Sequence, residues 1–373
     1  MDLVAGAGAA GWQGHVALPG EGPLARLAGE RGTPVHPLSL EPYSLGRKSL
    51  VEGIGYLLAL PRLAREIGDL GSRLGVSLLY VNGPRLLPAV ALARTGLPVI
   101  FHAHNQVSFR NGAGLVAIAA RNTNARVIAS SRFLAAEWER RLGPGRVRVI
   151  YAGVEGPGGA REPRRASAGP RIGMIARIGP QKRQKEFVQA AAELAGEWPE
   201  AQFYLCGDVL FGDWRGERYK NEVLALAPPS LRYLGWRQDV NGLLSTLDLL
   251  LLPSTSEGGI PRVILEAFAA RVPVLAYPAG ATAEGIVEGQ TGFLLSASSA
   301  AVIARRVGEL LRAPDRLAAA AERAHRLWQE KFTVERYRNQ VWEEVASVAS
   351  ESRRRKTPQA SSPSAAVDSR TAV

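Results

Sequence analysis

The chain has 373 residues, 46% apolar and 21% charged, with a formal charge of +12. That length suits two domains better than one core. No stretch reaches the roughly 20 unbroken apolar residues of a membrane-spanning helix, the start lacks signal-peptide order, and one cysteine, Cys206, rules out an internal disulfide, so the expected address is cytoplasmic. The cationic excess attracts anions of every kind, but zinc-ligand spacing, an aromatic-interleaved basic strand and a basic recognition helix are all missing, so no nucleic-acid partner is expected.

Short apolar runs alternate with longer amphipathic segments. Strands are expected at His15–Leu18, Leu78–Val81, Val99–His102, Arg126–Ala129 and Val147–Tyr151, and helices between them include Pro84–Arg94 and Ser131–Arg141, the latter capped by Ser130 or Ser131. The apolar segment Leu50–Leu60, with Arg47, Lys48, Arg62 and Arg65 around it, fits a helix packed into the domain or one lying on an anionic bilayer. Residues 153–169 are dense in Gly, Pro, Ala and Arg and read as a linker between domains 1–152 and 170–332. A second series follows: strand Ile172–Ala176, helix Lys182–Leu194, strands Gln202–Cys206 and Arg232–Leu234, helix Val240–Leu247, strand Leu249–Leu252, helix Pro261–Ala270, then strands Pro273–Ala276 and Phe293–Leu295. Helical patterns fill Ala300 to about Ser350, with Tyr337, Val341, Trp342 and Val345 at helical spacing in the segment 333–350, and 351–373 reads as a disordered tail. Two strand–helix series imply two parallel α/β sheets, whose ligands bind at the carboxyl ends of the strands.

Gly6, Gly8 and Gly11 match G-x-G-x-x-G. That dinucleotide motif needs a helix immediately after it, whereas here a turn and a strand follow, so a dehydrogenase is rejected.

Arg177 and Lys182 stand just beyond a strand, either as an ordinary solvated basic loop or where an anion can be met by a bidentate guanidinium and a mobile ammonium. Gly258-Gly-Ile-Pro261 leads into a helix: glycines admit close backbone approach, and the free amides face an anion. Glu266 is a charged residue one turn into that apolar helix, and His102 and His104 close a buried strand.

These segments, in this order, resemble family 4 of the retaining glycosyltransferases: Gly173 to Lys185, Gly207-Asp208, Leu234 to Val240 with Trp236 and Arg237, Asp248 to Ser254, Glu257 to Ala269, and Gly289 to Leu294. Val16 to Leu24, Val81 to Pro84, His102 to Asn105 and Ala129 to Ser131 match more loosely. The resemblance implies the GT-B architecture, with two Rossmann-like doubly wound sheets facing across a cleft and a final helix crossing back to the first domain. It implies sugar transfer from a nucleoside diphosphate sugar to a glycan, lipid-linked or small-molecule acceptor, with neither cofactor nor metal. The catalytic set it implies is Arg177, Lys182, His104 and Glu257. Gly258, Gly259, Ile260, Pro261, Glu266, Gly207, Trp236 and Arg237 would hold the donor, Glu266 through its ribose, and Asn82, His102 and Asn105 would face the acceptor. Two features depart from the pattern. The family's first glutamate, eight positions before Glu266, is Gly258 here, with Glu257 one residue early. The chain opens on what reads as the helix after the family's first strand, so either the true start lies upstream or a central strand is missing. These departures motivate an alternative, an inactive nucleotide- or partner-binding relative; a nucleotide-sugar epimerase is a third option.

Overall fold

The computed structural model describes residues 2–40, 50–107, 112–157, 169–210 and 213–356. The first unit runs α1 (Asp2–Ala5), β1 (Val16–Leu18), α2 (Pro23–Glu30), β2 (Val35–Pro37), α3 (Leu50–Leu74), β3 (Leu79–Asn82), α4 (Leu87–Ala93), β4 (Val99–Ala103), α5 (Ala113–Asn122), β5 (Arg126–Ala129), α6 (Arg132–Leu142) and β6 (Val147–Val149). The second runs β7 (Arg171–Ile175), α7 (Gln184–Leu194), β8 (Gln202–Cys206), α8 (Trp214–Leu224), β9 (Leu231–Gly235), α9 (Val240–Thr246), β10 (Leu249–Leu252), α10 (Arg262–Ala269), β11 (Val274–Ala276), α11 (Thr282–Gly285), β12 (Phe293–Leu294), α12 (Ala300–Leu311) and α13 (Pro314–Lys331), and is followed by α14 (Val334–Lys356).

Every strand pair is parallel. The second sheet has six strands in the order β12-β11-β10-β7-β8-β9. The all-leucine β10 shows why: it is buried throughout, as a central parallel strand covered on both faces must be. Phe187, Phe203 and Ile303 pack on one face, and Leu250, Leu265 and Phe268 on the other. In the first unit β3-β4-β5-β6 form one sheet and β1-β2 a separate pair. Asp2–Ala5 is helical, and the residues after Gly11, itself left-handed with φ 76°, run into β1 without an intervening helix.

Helix α14 returns to the first unit. Val341, Val345 and Val348 pack on Ile100, Ile128 and Ile150 of its sheet, and the buried carboxylate of Glu344 pairs with Arg148 at 2.7 Å and Arg126 at 3.4 Å. The helix runs past residue 351, where a tail is expected from the sequence. Glu351 is tied to Arg126 at 3.0 Å and accepts from the Ser347 hydroxyl, so the helix persists to Lys356, and 357–373 lie outside the described residues. The expected linker also begins inside packed structure: Val154 donates its amide to Phe332 and accepts from the Trp328 indole. Most of that linker, 158–168, and the cations Arg47 and Lys48 lie outside the described residues.

Candidate functional site

Strand order locates the site. The chain leaves β7 toward β8 and β9, then crosses back to place β10 on the other side of β7. The loops after β7 and β10 therefore diverge at a switch point on the carboxyl edge, where open α/β sheets bind ligands. The first loop carries Arg177 and, in a 3-10 turn, Lys182; the second carries Glu257 to Pro261.

Backbone bonds join the two loops. Thr255 donates its amide to Gln181 O at 2.9 Å, and the Lys182 ammonium pairs with Glu257 Oε1, both side chains being mostly buried. Gln184, wholly buried at the start of α7, braces the first loop by donating to Arg177 O at 2.9 Å and accepting from the Gly179 amide at 3.3 Å. The Arg177 guanidinium has no hydrogen-bond or ion-pair partner among the described residues, so its donors remain open to an anion. Pro261 caps α10 rather than starting it. Glu266, one turn further on, has its pKa raised by burial; Arg262, 3.9 Å away, offsets that shift only in part.

The first unit supplies the facing wall. The pairing of β3 with β4 sets Asn82 beside His102 and brings His104 over Asn82, to which its Nε2 donates at 2.6 Å. The Tyr80 hydroxyl and His102 Nδ1 share a hydrogen bond at 2.5 Å, and the two imidazoles lie with centroids 3.9 Å apart at a 31° tilt. Burial, with His104 adding repulsion, holds the His102 pKa well below its usual value. Solvent reaches His104, yet protein atoms crowd its ring, and the crowding governs its titration: the pKa falls to about 4. Both rings are neutral at pH 7. His102 Nε2 is buried and without a hydrogen-bond partner among the described residues.

The two walls touch. A Cβ on Gly258 would lie 2.8 Å from Asn105 Cα and 3.0 Å from His104 O, and one on Gly259 would lie 2.8 Å from Ser130 Oγ. The Ser131 hydroxyl donates to Gly258 O at 2.7 Å while accepting from the Leu134 amide as the cap of α6. Gly258 is therefore glycine because the opposite backbone passes where a side chain would begin. Of the residues singled out from the sequence, Lys182, Glu257, Gly258, Gly259, His104 and Asn105 meet in this cleft, and Arg177, Pro261 and Glu266 stand on the same loops and helix. Ile260 is buried against Gly285 and shapes the loop from beneath. Gly207 has a packing reason of its own, since a Cβ there would fall 2.0 Å from Ala176 O. Trp236 and Arg237 are exposed beyond the edge strand β9, two strands from β7. Gln184, Tyr80 and Ser131 were not foreseen as site residues: a buried glutamine in a helical run and a tyrosine in a strand carry no motif.

Comparison with known proteins agrees with this fold. Residues 169–313 match the family model described as glycosyl transferases group 1, and residues 1–155 that described as glycosyltransferase family 4. The Vi polysaccharide biosynthesis protein VipC/TviE of Salmonella typhi is 30% identical over 188 residues, covering 49% of this chain and 31% of its own. The lipopolysaccharide core biosynthesis mannosyltransferase LpcC of Rhizobium leguminosarum is 32% identical over 171 residues, 44% of this chain and 47% of its own. This chain thus spans less than half the length of either relative. Among solved structures, Anabaena HepE in complex with UDP and glucose superposes with a TM-score of 0.73 at 22% identity over 93% of this chain and 95% of its own. Sucrose-phosphate synthase from Thermosynechococcus elongatus superposes at 0.76 with 17% identity, over 94% and 92%.

Proposed function

The chain belongs to the family 4, group 1 glycosyltransferases and has the GT-B fold, and on that premise we propose that it moves a sugar from a nucleoside diphosphate sugar to a glycan or lipid-linked acceptor, with retention and without a metal. The observation that carries this reading is the meeting of the Arg177–Lys182 and Glu257–Pro261 loops at the switch point, against His104 and Asn105 of the other unit.

In the reaction the bond from the anomeric carbon to the β-phosphate oxygen breaks, an acceptor hydroxyl oxygen takes its place, and the hydroxyl proton passes to the departing diphosphate. Negative charge gathers on the departing diphosphate. Arg177 and Lys182 answer it as preorganised cations, aimed at the charge before it develops. The Gly258 and Gly259 amides approach the donor from the opposite loop. Glu257 holds the Lys182 ammonium in place before the donor arrives. Glu266 accepts from the ribose hydroxyls, and the neutral ring of His104 lines the sugar and acceptor side with Asn82 and Asn105; His102, read from the sequence as facing the acceptor, is buried behind His104 and supports its ring instead. UDP-sugars are the first donors to try, because the Anabaena neighbour is a complex with UDP.

The deciding assay follows release of nucleoside diphosphate from a panel of sugar nucleotides with and without candidate acceptors. Acceptor-dependent release with an α-linked product from an α-donor supports the reading. Tight nucleotide binding without turnover would favour a non-catalytic relative, and interconversion of the sugar nucleotide without acceptor an epimerase.

We also propose that α3 rests on an anionic bilayer. Ile54, Leu57 and Leu58 are exposed at one-turn spacing, and Arg62 and Arg65 follow on the same helix. Among the described residues no helix is long and apolar enough to cross a membrane. Vesicle co-sedimentation that ignores anionic lipid content would remove this idea.

A further inference from the structure

The two units are fastened beside the donor loop by one carboxylate. Glu284 of α11, in the second unit, accepts from two successive amides at the start of α6 in the first: Oε2 from Arg132 N and Oε1 from Phe133 N, each at 2.8 Å. The Tyr151 hydroxyl donates to the same Oε2 at 2.9 Å. The site suits a carboxylate, because the opening amides of an eleven-residue helix are unsatisfied within it and its dipole favours a negative charge there. Burial and the bond to Glu284 push the Tyr151 pKa up to about 12, so the phenol stays a donor across the physiological range.

These contacts close a ring around the donor loop. Ala281, one residue before α11, donates its amide to Glu257 O at 3.3 Å. Gly280 is pressed so close to the same carbonyl that a Cβ there would fall 1.8 Å from it. From the other side Ser131, the cap of α6, donates to Gly258 O. The donor loop is thus held by α11 and by α6, and Glu284 links those two helices.

We propose that Glu284 is a positioning residue for the transfer reaction: it clasps the N-terminus of α6 to α11 and so sets the closed cleft in which Gly258 abuts His104 and Asn105. Opening the cleft must break three hydrogen bonds to one ionised carboxylate, two from helix-end amides and one from a phenol, all charge-assisted and so stronger than neutral ones. The role rests on the transfer reading only for its kinetic consequence; the clasp itself is a statement about conformation.

The test uses the full chain without ligand. Nitroxides at Glu139→Cys on α6 and Arg305→Cys on α12, both exposed, report the separation of the units by pulsed electron resonance, and Cys206 is buried. The expected result is a narrow, short distance distribution in the parent and a longer, broader one in Glu284→Ala. Glu284→Gln, which keeps one acceptor oxygen, and Tyr151→Phe, which removes one of three donors, should fall between. If Glu284→Ala does not fold, those two variants carry the test. Turnover should follow the closed population: kcat/KM for transfer falls by about tenfold or more in Glu284→Ala, because misplaced reacting groups lose rate steeply, and less in Tyr151→Phe. Distance distributions that match the parent in all three variants would overturn the proposal. A chain that shows the shift but transfers no sugar would keep the clasp and refute the function above.

Discussion

The two walls of the cleft are built from opposite materials. The second unit offers charges: Arg177, Lys182 and Glu257 on loops fastened by a backbone bond and by Gln184, and Glu266 on α10. The first unit offers neutral rings and amides: Tyr80, His102, His104 and Asn82, joined side chain to side chain. Charge belongs where charge develops, on the leaving diphosphate, and neutral donors and acceptors suit a sugar whose hydroxyls keep their protons throughout. The contrast implies that changes to the Arg177–Lys182 loop act on turnover, changes to Glu266 on nucleotide binding, and changes to the first unit's wall on sugar and acceptor binding and on stability against acid.

The largest expected effect is on Lys182. Lys182→Ala should lower the transfer rate by on the order of 10²-fold or more, the scale of losing one preorganised donor to a developing anion, with nucleotide affinity changed far less. Arg177→Lys keeps the charge but loses the fork, so it should fall well short of rescue. Nucleoside diphosphate release and nucleotide affinity, measured side by side, check both. Near-parental turnover in both variants would mean that the basic loop is only a solvated surface.

Next comes the seam where the walls meet. Gly258→Ala drives a methyl group against the Asn105 backbone, which cannot rotate away as a side chain does. Overpacking of that kind costs about 1–3 kcal/mol, so kcat/KM should drop by roughly tenfold. Gly259→Ala faces the rotatable Ser130 hydroxyl and should cost less. Equal effects in the two would break the distinction between backbone and side-chain contact.

Glu266→Gln should act on binding more than on rate, because a ribose contact is similar in ground and transition states. Losing a hydrogen bond to an ionised acceptor predicts about a tenfold weaker nucleotide dissociation constant, with kcat nearly unchanged. A titration by calorimetry decides it, and a fall confined to kcat would place Glu266 in the chemistry instead.

The smallest effect separates the walls by pH. His102 and His104 have depressed pKa values in the fold. As pH falls below about 6.5 the unfolded chain binds protons that these rings refuse, so stability declines with acid. Glu266 works in the other sense. Its raised pKa makes its contribution present at low pH and lost as pH rises through the carboxylate range. Urea midpoints should therefore fall between pH 7 and pH 5, and His102→Asn should flatten that slope. An unchanged slope would mean that the ring protonates freely in the fold.

Much of this was legible from residues alone. The strand at Arg126–Ala129 and those at Gln202–Cys206 and Leu249–Leu252 fall where short apolar runs place them, because a strand buried on both faces declares itself locally. The cap Ser131 was equally visible, a hydroxyl at the head of an amphipathic run. The loop cations after β7 were readable from their place after a strand and from their chemistry. Other features left no local trace. The early stop expected for the last helix missed the ion pair from Glu351 to Arg126, 225 residues away in the chain. Gln184 looks like any helical glutamine until its amide is seen bridging Arg177 and Gly179.

Gly258 marks the boundary between the two kinds of knowledge. Periodicity, capping and turn chemistry are settled within a few residues, so the amino-acid sequence by itself determined the alternation of strands and helices, the parallel sheets, and the loops that bear the donor-side charges. Whether position 258 had lost a glutamate or required a glycine could not be read locally, because the atoms that forbid a side chain there belong to His104 and Asn105, some 150 residues earlier. Packing of one unit on the other decided it: two backbones meet within van der Waals distance, and excluded volume acts only between groups that the fold has already brought together.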